Sequence, residues 1–247
     1  MPHFYRAKRI VRWWVTQPRL VARRVRRYLD PFSHPYAKRY AMTIREWMIN
    51  HQRSIHFEKC SWMGVASFKN PCDAWIYQEI IYEVKPEVIV EIGSAYGGTT
   101  LFFAHLLDLM GTGSVVSVDI DRSHYAVQHP RITTITGDSS CSDVIAQVQQ
   151  QCHGKRVLVV HDGDHSRGQV LKDLRAYQNL VTIGSYLIVE DGVIDLFDPG
   201  DGIGTLSPGP LPAIKQFLQE HHNYLMDATR ERYVITYNPR GFLRRIS

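Results

Sequence analysis

The segment His161–Ser166 (HDGDHS) places two carboxylates and two imidazoles within six residues, directly after the apolar run Val157–Val160. Such a cluster could form a polar turn, bind a metal ion or supply a general base. The apolar run before it predicts a buried β-strand. We therefore expect the chemistry of this segment where that strand ends.

A second apolar run, 186–189, also ends in two acids, Glu190 and Asp191. If the two strands are neighbours, these acids meet Asp162 and Asp164 at one edge of a sheet. Four carboxylates so close would raise one another's pKa, and a divalent cation relieves that cost. Oxygen ligands favour Mg²⁺. The alternative is that Asp164 and Asp191 are turn residues facing solvent, which leaves Glu190, at the end of a central strand, unexplained.

Three further predicted strand ends suggest a ligand of the adenosine type. The first runs into the glycine-rich turn 91–99 (EIGSAYGGT), where the backbone can approach a ligand and a helix N-terminus can receive an anion. The second ends in Asp119, close to Asp121, which could accept ribose hydroxyls. The third ends in Asp138 and Ser139. Each feature could also be a packing turn or a helix cap. Neither GxGxxG nor GxxxxGK(S/T) occurs, which disfavours NAD, FAD and a P-loop.

The elements that must position these residues alternate between strands and helices. Predicted strands cover 88–93, 115–119, 132–138, 157–162 and 186–191, with a final antiparallel pair at 224–226 and 233–237. Predicted helices cover 73–84, 99–110, 142–151, 169–180 and 211–221. This order predicts an α/β fold, a mostly parallel sheet with helices on both faces, in which ligands bind beyond the carboxyl ends of the strands.

The basic charge lies in an N-terminal arm. Residues 1–45 carry 12 Lys and Arg and one acid, a net charge of +11, and the remainder carries −6. Segment 19–29 places apolar residues on one helical face and arginines on the other, and Trp13 and Trp14 precede it. We expect an arm over 1–50 and a second domain over 51–247. The arm could lie on an anionic membrane, bind a partner or pack as an ordinary solvated helix. Nucleic acid is disfavoured because no known binding fold accompanies the charge.

Composition predicts a cytoplasmic protein, and the basic arm allows a peripheral location at the inner face of the membrane. The 247 residues include no apolar run of about 20 residues, the length that spans a bilayer. Arginines interrupt every apolar stretch near the N-terminus, unlike a secretory signal. The 4 cysteines have no CxxC or zinc-type spacing, so we expect reduced thiols.

Taken together, the motifs resemble the cephalosporin hydroxylase/rhamnosyl O-methyltransferase family of S-adenosylmethionine (SAM)-dependent enzymes. The resemblance covers about residues 60–245 and rests on motifs in the same order. They are SWMGVASFKNPCDAWIYQEII, EIGSAYGGTTLFFAHLL, VVSVDID, HDGDHS, YLIVEDG and TYNPRGFLRR. The basic arm lies outside it.

The resemblance implies a Rossmann-like class I methyltransferase with a seven-stranded, mostly parallel sheet and an antiparallel C-terminal strand. The glycine turn would hold the methionine part of SAM, Asp119 the ribose, and Asp138 with Ser139 the adenine side. The expected cofactor-binding residues are Glu91, Gly93, Ser94, Tyr96, Gly97, Gly98, Asp119, Asp138, Ser139 and Asp162. Asp162, Glu190 and Asp191 would bind Mg²⁺, and Asp164 would be the general base, with His165 as its rival.

The implied reaction is methylation of a sugar hydroxyl in a polysaccharide, glycolipid or glycosylated natural product, and the resemblance allows a homo-oligomer. A non-haem iron hydroxylase is disfavoured, because its ligand triad usually begins as HxD and no HxD occurs. Two alternatives remain: a metal-dependent glycosyltransferase with Asp162–Asp164 as its DxD motif, and a non-catalytic membrane-associated module. Loop 195–210 could be a lid or a plain connection. His161 has no predicted role.

Overall fold

The computed structural model describes residues 18–32 and 34–247, so Trp13 and Trp14 of the predicted arm lie outside the described residues. The chain divides into two compact units between Trp47 and Met48. In the first unit, helix α1 (Pro18–Leu29) occupies the predicted segment and is followed by α2 (His34–Arg39). Helix α3 (Ile44–His51) contains the boundary. Within the described residues, no helix is long and apolar enough to cross a membrane.

A seven-stranded sheet forms the centre of the second unit. Its strands are β3 (Val88–Ile92), β4 (Ser114–Asp119), β5 (Ile132–Thr136), β6 (Val157–His161), β7 (Tyr186–Val189), β8 (Tyr224–Met226) and β9 (Phe242–Arg245). They lie in the order β5-β4-β3-β6-β7-β9-β8, and every strand runs in the same direction except β9, which is antiparallel to both of its neighbours. A separate hairpin pairs β1 (Ser61–Trp62) with β2 (Val65–Ala66).

Helices cover both faces of this sheet, because its central strands are apolar on both sides. Every residue of β3, β6 and β7 is buried, and alternate side chains enter two separate apolar clusters. One cluster includes residues of α4 (Pro71–Val84) and α5 (Gly98–Met110). The other includes residues of α6 (Ser142–Cys152), α7 (Arg167–Tyr177) and α8 (Pro210–Glu220). The predicted fold class is confirmed.

The prediction of a strand at 233–237 is wrong, because β9 lies at Phe242–Arg245 instead. The buried carboxylate of Asp73 accepts hydrogen bonds from the hydroxyl of Thr236 and the backbone N–H of Tyr237. Val234 has a φ of +66°, outside the range of a β-strand. The β-branched run is therefore an irregular segment attached to helix α4.

The strand order defines where a ligand can bind. From β3 the chain adds β4 and β5 on one side, then returns to add β6 and β7 on the other. Open parallel sheets bind ligands beyond the carboxyl ends of the strands at such a switch point. The ends of β3 and β6 meet here, which brings the glycine-rich turn beside the HDGDHS segment.

Candidate active site

Two adjoining cavities open at this switch point. The β4-side cavity, about 400 Å³, is lined by residues such as Asp119, Gly137 and Asp138. The β7-side cavity, about 360 Å³, is lined by residues such as Asp191 and Ile203. Gly93, Ala95 and Asp162 line both cavities. A ligand in one cavity could therefore meet a ligand in the other at these shared residues.

Gly93 lets the first strand end press against the fourth. Its φ is +83°, and a Cβ atom there would lie 2.2 Å from the carbonyl oxygen of Asp162. The amide of Asp162 also donates to the carbonyl of Ile92 at 2.7 Å. The positive φ and the close approach of Asp162 both require a residue without a side chain at position 93. Gly97, with a φ of +87°, precedes the first turn of α5 and packs against the ring of Tyr125.

We predict that Gly93→Ala abolishes cofactor binding, because the added methyl group displaces Asp162 from the shared wall of the cavities. Gly184→Ala is the matched control, since Gly184 has a φ of +87° but no atom within 4 Å of an added Cβ. Both variants carry the backbone strain, about 1–2 kcal/mol, and only the first carries the clash. Isothermal titration calorimetry with S-adenosylhomocysteine (SAH) measures the affinity of both variants and checks this prediction. Equal affinities in the two variants would contradict the role given to Gly93.

Asp119 organises the glycine turn as well as lining the β4-side cavity. Its carboxylate accepts the backbone N–H groups of Ser94 at 2.7 Å, Ala95 at 2.8 Å and Asp121 at 3.0 Å. Burial favours the neutral acid, but these bonds hold the pKa of Asp119 below its usual value. An anion is therefore built into the wall of this cavity.

Asp138 and Ser139 line the same cavity. Asp138 accepts the backbone N–H and the hydroxyl of Ser140, both at 2.8 Å, and these bonds lower its pKa. Ser139 donates its hydroxyl to Asp173 at 2.8 Å. The turn after β5 is thus held by its own side chains and by helix α7.

Five predicted cofactor residues do not line the β4-side cavity. Ser94, Tyr96 and Gly98 line only the β7-side cavity, so the glycine turn faces that side as well, and Gly97 lines neither cavity. Glu91 is fully buried, accepts the hydroxyl of Thr100 and lines neither cavity. Burial raises the pKa of Glu91 to about 8, although the Thr100 bond opposes that rise. Glu91 therefore lies beneath the glycine-rich turn.

Asp162, His165 and Asp191 could hold a metal ion between them. One potential ligand atom from each lies within 4.8 Å of the others, and all three line the β7-side cavity. His165 Nε2 is 3.1 Å from Asp191 Oδ2. Burial raises the pKa of Asp162 and of Asp191. A divalent cation would relieve this cost, and the two carboxylates of the group suit Mg²⁺ or Mn²⁺.

Glu190 is not brought into this group of three. Its carboxylate accepts the phenol of Tyr77 at 2.6 Å and the ammonium of Lys69. Lys69 also donates to Asp162 at 2.6 Å. Burial, followed by the negative charge of Asp162, raises the pKa of Glu190 to about 7. Glu190 therefore lies behind Asp162, joined to it through Lys69.

Sequence reasoning missed Lys69. Burial opposes its charge, but Asp162 and Glu190 raise the pKa of Lys69 well above its usual value, so it is a buried cation. Lys69 precedes Asn70, which caps helix α4 by accepting the N–H of Cys72 at 2.9 Å. The signal available in the sequence was the Lys-Asn-Pro motif, because the Asn and Pro are sufficient to start a helix and the charge of the Lys is not needed for it.

Arg122 was also missed. It donates to the hydroxyl of Ser94 at 2.6 Å, to the hydroxyl of Ser117 at 3.0 Å and to the carbonyl of Ile135 at 3.0 Å. Its guanidinium lies 4.7 Å from the ring centre of Tyr125. Arg122 thereby ties the ends of β3, β4 and β5 together beneath the glycine-rich turn. Its position just after two aspartates was the available signal.

The structure separates the two candidate bases. Asp164 accepts the backbone N–H of Ser166 at 2.7 Å and lines the β4-side cavity. His165 lines the β7-side cavity beside Asp162 and Asp191. These two adjacent residues therefore line different cavities.

Loop 195–210 contributes to the β7-side cavity through Gly202, Ile203 and Leu206. Arg53 donates to the carbonyl of Gly200 at 2.8 Å. The carboxylate of Asp195, at the start of the loop, accepts the N–H groups of Gly209 and Leu211, at its end, at 2.7 and 2.8 Å. The loop is thus closed at its base, held at Gly200 by Arg53, and forms one wall of this cavity.

Comparison with known proteins gives matches over most of the chain. Residues 54–246 match the family described as Rhamnosyl O-methyltransferase/CmcI. A rhamnosyl O-methyltransferase of Mycobacterium tuberculosis (strain ATCC 25618 / H37Rv) is 33% identical over 200 residues, which cover 77% of this chain and 80% of that protein. One from Mycobacterium leprae (strain TN) is 34% identical over 191 residues, which cover 74% and 82%.

Solved structures show the same fold. A CmcI structure with Mg and SAM superposes with a TM-score of 0.59 and 22% identity, over 78% of this chain and 79% of that one. A CmcI structure with SAH has a TM-score of 0.55 and 21% identity, over 77% and 84%. At these identities the likeness concerns the fold alone.

Proposed function

This chain belongs to the Rhamnosyl O-methyltransferase/CmcI family, and we propose that it is a Mg²⁺-dependent enzyme that transfers a methyl group from SAM to a sugar hydroxyl. The observation that carries the proposal is the pair of cavities sharing Gly93, Ala95 and Asp162. One cavity has the polar strand ends expected of an adenosine site. The other has the candidate metal group.

SAM would occupy the β4-side cavity. The Asp119 carboxylate would face the ribose, and Asp138 with Ser139 would face the adenine. The methionine part would extend from that cavity along Gly93 and Ser94, towards the N-terminal end of α5, where helix N–H groups favour a carboxylate. The methyl group would then point across the shared residues into the β7-side cavity.

Asp162 and Asp191 would hold the metal ion, with Glu190 one hydrogen-bonded link behind Asp162 as the third candidate ligand. A bound Mg²⁺ would lower the pKa of an acceptor hydroxyl and fix its direction. Asp162 and Asp191 belong to the group of three residues whose potential ligand atoms lie within 4.8 Å of one another, which supports this placement. The third member of that group, His165, would not bind the ion in this proposal, and it lines the β7-side cavity together with the two carboxylates.

His165 is the general base that the geometry favours over Asp164, because it shares the β7-side cavity with the metal group. In the proposed step the acceptor oxygen forms a bond to the methyl carbon while the carbon–sulfur bond of SAM breaks. The hydroxyl proton passes to the imidazole, and SAH leaves. Positioning by the two cavities supplies the in-line approach.

The test is methyl transfer from labelled SAM to rhamnosides and other simple glycosides. We predict that His165→Gln lowers kcat by about 10²–10⁴, the usual contribution of a general base, and leaves SAH affinity unchanged. Asp164→Asn is the matched variant and should keep kcat within about fivefold. The opposite pattern would make Asp164 the base. Stabilisation by a nucleotide sugar but not by SAM would favour the glycosyltransferase alternative.

Rhamnose is the first acceptor to try, because the curated relatives are named rhamnosyl O-methyltransferases. The β7-side cavity also suits a sugar, because the aromatic rings of Phe57, Phe68 and Tyr96 line it beside polar groups. Aromatic faces pack against the apolar faces of sugar rings, and carboxylates accept their hydroxyls.

Helix α1 is proposed to bind an anionic membrane surface. Leu20, Val25 and Leu29 are 49%, 44% and 76% exposed, which is unfavourable in water unless the apolar face is covered. Arg19, Arg23 and Arg26 of the same helix would approach lipid phosphates while the apolar side chains enter the interface. This contact would bring the enzyme to a membrane-borne glycoside.

We predict that the full chain co-sediments with vesicles containing about 30% phosphatidylglycerol, and that replacing Leu20, Val25 and Leu29 by serine weakens binding about tenfold or more. Leu109→Ser, at a side chain 86% exposed on another helix, is the control. Equal binding to neutral phosphatidylcholine vesicles, or no binding to either, would contradict the proposal.

A further inference from the structure

His161 is a fully buried histidine at the end of β6, paired in register with Ile92 and Val189. Its Nε2 lies 3.0 Å from Oδ2 of Asp173, which is 1% exposed. A carboxylate can only accept hydrogen bonds, so Nε2 carries the hydrogen of this contact. Burying a polar pair in an otherwise apolar cluster costs desolvation free energy. We therefore expect this pair to have a role other than packing.

The second carboxylate oxygen of Asp173 contacts residues that line the β4-side cavity. Asp173 Oδ1 accepts the hydroxyl of Ser139 at 2.8 Å, and Gln169 donates to the same carboxylate at 3.3 and 3.4 Å. The carbonyl of Ser139 accepts the phenol of Tyr177 at 2.9 Å. Ser139 and Gln169 both line the β4-side cavity. A continuous hydrogen-bonded path thus leads from His161 to the cavity wall.

We propose that His161 and Asp173 are positioning residues for the adenosine end of SAM, and that they act by fixing Ser139 and Gln169. The inference rests on the proposed placement of SAM in the β4-side cavity. His161 orients the Asp173 carboxylate, and that carboxylate holds the two side chains that face the ligand. The imidazole itself lines neither cavity, so it acts through its neighbours.

The geometry also separates this pair from the metal group. Strand alternation puts His161 on the face of the sheet that carries Val157 and Val159, packed against α7. Asp162, the next residue, turns towards the cavities and Lys69. Disturbing the pair should therefore change the affinity for cofactor and leave metal affinity nearly unchanged.

The experiment measures SAH affinity by isothermal titration in His161→Phe, His161→Gln and Asp173→Asn. We expect the dissociation constant for SAH to rise about tenfold in His161→Phe and Asp173→Asn, the size of one charged hydrogen bond. His161→Gln keeps an amide N–H for Asp173 and should restore most of the affinity. Mn²⁺ affinity and the acceptor KM should stay within about twofold of wild type in all three.

A double-mutant cycle of Asp173→Asn and Ser139→Ala tests whether the effect of Asp173 passes through Ser139. If Asp173 acts through Ser139, the double variant should bind SAH no more than about twofold more weakly than the weaker single variant. Val148→Ala, in the same apolar cluster, controls for general loss of stability. The inference is overturned if His161→Phe lowers the melting temperature as Val148→Ala does but leaves SAH affinity unchanged, or if the cycle is additive. Failure of wild type to bind SAH would instead overturn the proposed function, and this inference with it.

Discussion

Lys69→Met is expected to cost about 3–5 kcal/mol of unfolding free energy, because it leaves two buried carboxylates without their cation. Lys69 donates to both Asp162 and Glu190, and both side chains that it pairs with are largely removed from solvent. Methionine has a similar length, so the loss is mainly electrostatic. Chemical denaturation at pH 7 measures it. Lys155→Met, at an exposed lysine, should change stability by less than about 0.5 kcal/mol.

The loss should grow with pH. Glu190 has a folded pKa of about 7 against an ordinary value of 4.5, so the folded protein binds more protons than the unfolded chain between these values. Stability contributed by such a group decreases as pH rises through that window. Without Lys69 the folded pKa rises further and the window extends upward. Lys69→Met should therefore be closest to wild type near pH 5 and furthest from it near pH 8.

A double variant sharpens this result. Lys69→Met with Glu190→Gln removes a buried carboxylate along with its cation, and it should recover part of the lost stability. If Lys69→Met is as stable as Lys155→Met at pH 8, the ion pairs with Asp162 and Glu190 contribute nothing, and the buried-cation interpretation is wrong.

Removing the metal is expected to reduce methyl transfer by a factor of about 10³ or more while SAH affinity stays within about threefold, because an uncoordinated sugar hydroxyl is a poor nucleophile. Excess chelator is the first form of the test. Asp191→Asn is the second, since Asp191 lines the β7-side cavity and not the β4-side one. Mn²⁺ binding, followed by electron paramagnetic resonance, should weaken in this variant.

Asp138→Asn is the matched variant for the other cavity. Asp138 lines only the β4-side cavity, so its loss should weaken SAH binding and leave Mn²⁺ affinity unchanged. Asp191→Asn is therefore expected to weaken Mn²⁺ binding and not SAH binding, and Asp138→Asn is expected to do the reverse. Full activity in chelator would refute metal dependence, and loss of SAH binding in Asp191→Asn would refute the division of the site into two cavities.

The order of the helices and strands, and the class of the fold, could be predicted from local patterns. Buried parallel strands need continuous apolar runs, and the runs ending near residues 92, 119, 161 and 189 occur where expected. The final strand could not be placed in the same way. The run 233–237 has the composition of a strand, but its partner is Asp73, 163 residues earlier for Thr236. A contact that distant leaves no trace in local periodicity.

The candidate site shows the same division. Acidic residues at the ends of two apolar runs predicted a carboxylate cluster, and the structure places Asp162 and Asp191 together. The position of Glu190 depends on Lys69, 121 residues away, and on Tyr77, 113 residues away. Because Lys69 and Tyr77 both bind the carboxylate of Glu190, Asp162 and Asp191 line the cavity and Glu190 does not.

The sequence by itself determined the fold class, the strand ends that carry chemistry and the family resemblance, because each depends on residue type and short-range spacing. Only the tertiary structure decided which cavity each residue lines. Asp164 and His165 are neighbours in the chain but line different cavities, because adjacent side chains outside a helix point in different directions. His161, without a role in the sequence, acquires one from Asp173, because packing a helix on the sheet brings the two into contact.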